Sequence, residues 1–104
     1  MGYSDSKLLE FRRALDKLYG ERLERAVLFG SRARGDATTE SDYDVAVFLK
    51  AMPDRWAEFD RLIPLRLDFL AKYDTDFSVL PFQSSDLEKR TGLMHAIRTE
   101  GQPF

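Results

Sequence analysis

Cysteine is absent from the 104-residue chain, which excludes disulfides, thiolate nucleophiles and thiolate-bound zinc together. A single histidine, His95, excludes any site built on two imidazoles. Long apolar runs are also missing. The longest uninterrupted one is the five residues Val45 to Leu49, far short of the ~20 that cross a bilayer. Neither sign of charge dominates, with 16 Lys and Arg against 18 Asp and Glu and a net charge of −2. Bulk attraction to nucleic acid or to an anionic membrane is therefore not expected. Residues Met1 to Asp5 offer neither a basic start nor an apolar stretch, so the expectation is a soluble cytoplasmic chain with no secretory signal.

What is present is enough for one modest core: 43% of the residues are apolar, and Phe, Trp and Tyr make up 12% of the chain. That composition excludes disorder over most of the length and, with no repeat or linker, predicts a single domain over residues 1–104. Leu8, Phe11, Leu15 and Leu18 share one face of a helix over residues 6–19, with Ser6 as N-cap and Gly20 as stop. Leu23 to Phe29 reads as a buried strand ended by Gly30, and Tyr43 to Leu49 as a second strand. Tyr43, Val45, Val47 and Leu49 would face one way, and Asp42, Asp44, Ala46 and Phe48 the other. Between them, residues 31–41 predict a loop with at most one helical turn.

Pro53-Asp54 opens a longer helix with Trp56, Phe59, Leu62 and Ile63 as its apolar side, kinked or divided by Pro64. A third strand is expected over Thr75 to Leu80, bounded by Pro81. A last helix is expected from the capping-box pattern Ser85-Asp86-Leu87-Glu88 to about Glu100, with Gly101 as stop. The order predicts an α/β fold, a small mixed sheet covered by about four helices, since the first two strands are too close for a full crossover.

The chemistry concentrates in Leu28-Phe29-Gly30-Ser31-Arg32-Ala33-Arg34-Gly35-Asp36 and Ser41-Asp42-Tyr43-Asp44-Val45. Gly30 lets a backbone N–H approach a bulky anion, Ser31 adds a hydroxyl, and Arg32 and Arg34 add cations: a phosphate cradle. Asp42 and Asp44 leave one face of a strand with Cα atoms about 7 Å apart, able to converge on a hard cation. Two carboxylates ~4 Å apart repel by about 4 kcal/mol at an effective dielectric near 20, and three would repel by roughly 12 kcal/mol. Such a cluster needs cations or protons, and magnesium suits its oxygen donors. Asp76, flanked by strand-like residues, is the favoured third acid, and Asp74, two residues earlier, competes with it.

Gly30-Ser31, ten residues, then Asp42-Tyr43-Asp44 resembles the G-S-x10-D-x-D signature of the DNA polymerase β nucleotidyltransferase superfamily. More narrowly, the chain resembles the minimal nucleotidyltransferases (MNT), antitoxins paired with HEPN-domain toxins. The resemblance implies a polymerase β-like fold and transfer of a nucleotide from a magnesium-bound NTP, with ATP the expected substrate, to a hydroxyl with loss of pyrophosphate. Carried over by position, Gly30 and Ser31 would hold the terminal phosphates and Asp42 and Asp44 would ligate two Mg2+ ions. Asp76 would help bind the second ion and take the acceptor's proton, and Arg32 or Arg34 would balance phosphate charge. The implied acceptor is a tyrosine of a HEPN ribonuclease toxin, held in a hetero-oligomer and silenced by AMPylation.

Two other functions compete: a small-molecule nucleotidyltransferase, for which 104 residues leave no acceptor domain, and an antitoxin that only masks its toxin. Direct DNA binding is not expected without a basic groove. Gly30 and Gly35 also match P-loop spacing, but Asp36-Ala37 stands where Lys-Ser/Thr is needed. Arg34-Gly35-Asp36 spells an adhesion tripeptide only by coincidence. His95 reads as a helix-surface or boundary residue, Trp56 and Phe59 as core with a partner-binding patch as the alternative, and Arg12-Arg13 and Lys89-Arg90 as solvated faces.

Overall fold

The computed structural model describes residues 5–35 and 42–104. The expectations for residues 1–4, for the tripeptide ending at Asp36 and for the later part of the turn between the first two strands lie outside the described residues.

Helix α1 (Ser6–Tyr19) is capped by Asp5 instead of Ser6. The Asp5 carboxylate accepts from the backbone N–H of Lys7 (2.9 Å) and Leu8 (3.2 Å). It also accepts from the Tyr43 hydroxyl at 2.6 Å, a contact 38 residues away in sequence that no local cap rule registers. Leu8, Phe11 and Leu15 are fully buried as expected, whereas Leu18 is exposed and Tyr19, one turn beyond Leu15, takes its place in the core. Gly20 ends the helix with φ +57°.

Strands β1 (Leu23–Phe29) and β2 (Tyr43–Leu49) pair antiparallel, with the four-residue helix α2 (Ser31–Arg34) between them. Strand β3 (Phe77–Gln83) pairs parallel with β2, so the sheet is mixed as predicted. A two-residue strand β4 (Gln102–Pro103) closes the order β3-β2-β1-β4, an element with too little pattern to be read in advance. Arg12, expected to be a plain solvated charge, donates to the Phe104 carbonyl beyond β4.

The alternation along β2 divides the core as the sequence predicts. Tyr43, Val45, Val47 and Leu49 meet α1 and helix α3 (Arg55–Tyr73) on one face of the sheet. Ala46 and Phe48 meet Val27, Phe82 and helix α4 (Gly92–Glu100) on the other. An aromatic column runs through the first core, Tyr43 stacked on Phe77 and Phe77 on Phe11, each at 4.4 Å between centroids.

Helix α3 corrects the sequence expectation in two respects. Its buried face is Glu58, Leu62 and Phe69, while Trp56 is 76% and Ile63 49% exposed. The charge at Glu58 disguised the inner face: its carboxylate is buried but held by Arg22 at 2.7 Å. Nor does Pro64 divide the helix. It lies on the solvent side beside exposed Asp60, whose carbonyl water can satisfy in place of the missing N–H.

Strand β3 is Phe77–Gln83, two residues later than expected and running through Pro81. As an edge strand it tolerates a residue without a ladder N–H, and Arg55 donates to the Pro81 carbonyl at 3.1 and 3.2 Å. Residues Ser84–Glu88 form a 3-10 turn instead of the start of the last helix, with Asp86 accepting from the Gln83 N–H. Helix α4 starts at Gly92, capped by the Thr91 hydroxyl, and stops at Gly101 as predicted.

Candidate active site

The Gly-Ser turn and the acid-bearing strand meet at one end of the sheet. Gly30 has φ +76° and ψ −155°, a conformation open to glycine alone, and a Cβ built on it would collide with the Asp44 carboxylate. Register supplies the contact: Phe29 pairs with Asp44 across the β1–β2 ladder. The Gly30 carbonyl accepts from Ala33 and Arg34 at 3.1 Å, opening α2, and Gly35 closes it in the left-handed conformation. A tight glycine-bounded turn thus lies directly against a carboxylate.

Backbone register brings the three acids to one end of the sheet. Asp42 and Asp44 are two apart at the start of β2, on the side of Ala46 and Phe48. In the parallel ladder Asp44 pairs with Ser78, and one step earlier the Tyr43 N–H donates to the Asp76 carbonyl at 3.0 Å. Extending that register sets Asp76 beside Asp42, on the same face as Ser78. Asp44 registers both neighbours: partial burial chiefly pushes its carboxyl above the ordinary range, and the charges of Asp42 and Asp76 push the same way. Arg34 acts against them.

Asp76 is not turned fully toward the pair. Arg66 of α3 donates Nη2 to both its oxygens at 3.3 Å. Among the described residues, no three acidic or histidine side chains are close enough to hold an ion together. Asp74, the competing third acid, ends α3: it is exposed, has φ +52°, and donates its N–H to the Leu70 carbonyl. That is a helix-terminating role, away from the acid pair.

The two arginines of the turn have different described neighbours. Arg32 lies over the Tyr43 ring at 4.0 Å, extending the aromatic column. Arg34 is the one whose charge reaches Asp44, and it pairs with Glu100 of α4 at 3.7 Å. Arg66 was missed by sequence reading. The available signal, a cation on the helix preceding the acid-bearing strand, is too common to single it out.

The nucleotidyltransferase-domain family model matches residues 8–98, nearly the whole chain. Among curated relatives, "Putative protein adenylyltransferase MJ0141" of Methanocaldococcus jannaschii is 34% identical over 76 residues, covering 73% of this chain and 76% of the relative. A second from the same organism, MJ1305, is 34% identical over 95 residues, and the match spans 63% of its length. Among solved structures, a chain of a toxin–antitoxin complex with AMP-PNP superimposes with a TM-score of 0.61 at 20% identity, over 97% of this chain and 72% of that one. A chain from the complex of tri-AMPylated Shewanella oneidensis HEPN toxin with MNT antitoxin gives 0.55 at 20% identity, over 93% and 70%. The fold is that of the polymerase β-like nucleotidyltransferases. With the glycine turn set against its acid-bearing strand, this chain belongs to the nucleotidyltransferase-domain family.

Proposed function

We propose that the chain is a magnesium-dependent protein adenylyltransferase of the MNT antitoxin type, acting on a hydroxyl, a tyrosine, of a HEPN-domain toxin. The observation that carries it is the Asp44 carboxylate packed on Gly30, with Asp42 two residues before it on the same strand. The donor set fits magnesium: these are hard carboxylate oxygens, and Asp44 sits in an environment that disfavours its bare charge. The cradle at Gly30 leaves no room for a side chain that would separate carboxylate from turn. Asp42 and Asp44 would hold the metal, and Asp76 would join by exchanging Arg66 for it. When bound, the metal shields the α-phosphate and steadies the leaving pyrophosphate.

The protein's own groups do the rest. Gly30 and Ser31 hold the terminal phosphates of ATP, and Arg34, already within reach of Asp44, offsets their charge. Arg32 steadies the turn by stacking on Tyr43. The acceptor oxygen bonds to the α-phosphorus, the bond from that phosphorus to the bridging β-phosphate oxygen breaks, and pyrophosphate leaves. Asp76 takes the hydroxyl proton. The relatives named as adenylyltransferases and the complexes of fold neighbours with HEPN toxin support this choice of substrate and partner.

The test is transfer of label from α-labelled ATP, with magnesium, to a HEPN-domain protein co-expressed with this chain. The parent chain is expected to label it, and Asp42→Ala with Asp44→Ala to abolish the label. Equal labelling by the double variant would refute the assignment of these carboxylates. Neutralisation of the toxin by both chains without any label would instead establish masking by binding alone.

A further inference from the structure

Helix α3 carries a second apolar stripe that stays exposed among the described residues. Trp56, Ile63, Leu67 and Leu70 are 76%, 49%, 57% and 42% exposed, a concentration of large apolar side chains on one element. Trp56, Ile63 and Leu70 repeat every seven residues, and Leu67 lies one turn from Ile63, so the stripe stays on one side of the helix over about 21 Å. The core contacts of α3 are made by another face, through Leu62 and Phe69. At its C-terminal end the stripe borders a groove formed by Ile63, Arg66, Leu67, Leu70 and Asp76. An apolar seam therefore runs into the acid proposed to take the acceptor's proton.

From this continuity we infer that the outer face of α3 seats an amphipathic helix of the acceptor protein and delivers its hydroxyl to Asp76; the inference rests on the proposed function. Seven-residue spacing is the spacing that packs a second helix along a seam. An acceptor must reach Asp76 through whatever occupies the adjoining groove, so an occupant without a hydroxyl there would block the reaction. A second copy of this chain on the same seam would close the groove over Asp76. The Arg66–Asp76 pair, at 3.3 Å, stands where the groove meets the acid.

The experiment uses the full chain with the co-expressed HEPN-domain protein as probe, reading both affinity and labelling by α-labelled ATP. Leu67→Asp and Ile63→Asp are expected to weaken partner binding and labelling at least about tenfold, as loss of a buried interface anchor does. Binding of a fluorescent ATP analogue should be unchanged, because neither Leu67 nor Ile63 belongs to the Gly30-Ser31 turn or to the Asp42–Asp44 pair. Leu93→Asp, an exposed leucine on α4, should leave labelling intact. Leu67→Ala, which keeps the helix, should show a smaller loss in the same direction.

Parent-like binding and labelling by Leu67→Asp would overturn the docking assignment alone. A parent dimer dissolved by Leu67→Asp, with partner labelling retained, would assign the seam to a second copy and overturn it too. A parent that binds the HEPN protein through this seam without labelling it would refute catalysis while upholding the docking surface. A parent that neither binds nor labels would overturn both.

Discussion

The acid end of the sheet and helix α3 differ in how many partners their residues have to choose from. At the sheet end each polar residue has one place to go: Gly30 must take a positive φ, Asp44 must pair with Phe29, and Asp76 must precede the strand beside β2. Helix α3 instead presents two apolar faces, one through Leu62 and Phe69 and another through Trp56, Ile63 and Leu67. Only packing shows which is inside. Local stereochemistry constrains chemistry tightly, whereas apolarity alone does not distinguish a core from a contact surface.

The comparison can be broken at its most constrained point. Gly30→Ala should lower transfer at least ~100-fold by displacing the Asp44 carboxylate. Backbone strain at that φ should also destabilise the fold by about 1–3 kcal/mol, measurable by urea unfolding. If the alanine variant keeps parental activity, the close approach of turn and acid has no catalytic meaning.

The third acid offers the next contrast. Asp76→Asn should reduce kcat by ~10²–10⁴, the range for loss of a general base, while Asp74→Asn should leave kcat unchanged. Asp74→Gly should stabilise the chain slightly, because glycine adopts the helix-ending φ more readily. A larger kcat loss at Asp74 would reverse the assignment of the two residues.

The two faces of α3 are separated by stability. Leu62→Ala should cost about 2–5 kcal/mol in denaturant unfolding, and Leu67→Ala should stay within about 0.5 kcal/mol. Comparable losses would mean the outer stripe is packed in the isolated chain.

The smallest effect is electrostatic. Because the Asp44 carboxyl is pushed up in the folded chain, the stability it contributes is present below its unfolded pKa and lost as pH rises through the higher folded value. Without magnesium, Asp44→Asn should therefore raise the melting temperature by a few degrees at pH 7 and flatten its acid-side pH dependence. A lower melting temperature for the asparagine variant at pH 7 would show the charge to be compensated already.

Much of this was legible in advance because it depends on short-range rules. The two strands of the hairpin, the glycine-bounded turn and the alternation along β2 follow from periodicity and turn geometry. The start of β3, the cap at Asp5, the 3-10 turn at Ser84–Glu88 and the burial of Tyr19 were not, since each depends on a contact with a residue far away in the chain. Tyr43 selects the cap at Asp5, pairing with β2 carries β3 through Pro81, and Arg22 permits Glu58 to sit inside.

The chain's own order of residues determined the α/β class, the glycine-bounded turn and the pair of carboxylates on one strand face, because backbone sterics and two-residue alternation act locally. Tertiary structure alone decided that Asp76 stands in register with Asp42 yet pairs with Arg66, that Asp74 ends a helix, and that Trp56 lies outside. Those outcomes depend on sheet register and on how one helix is rotated against the core, which no window of neighbouring residues contains.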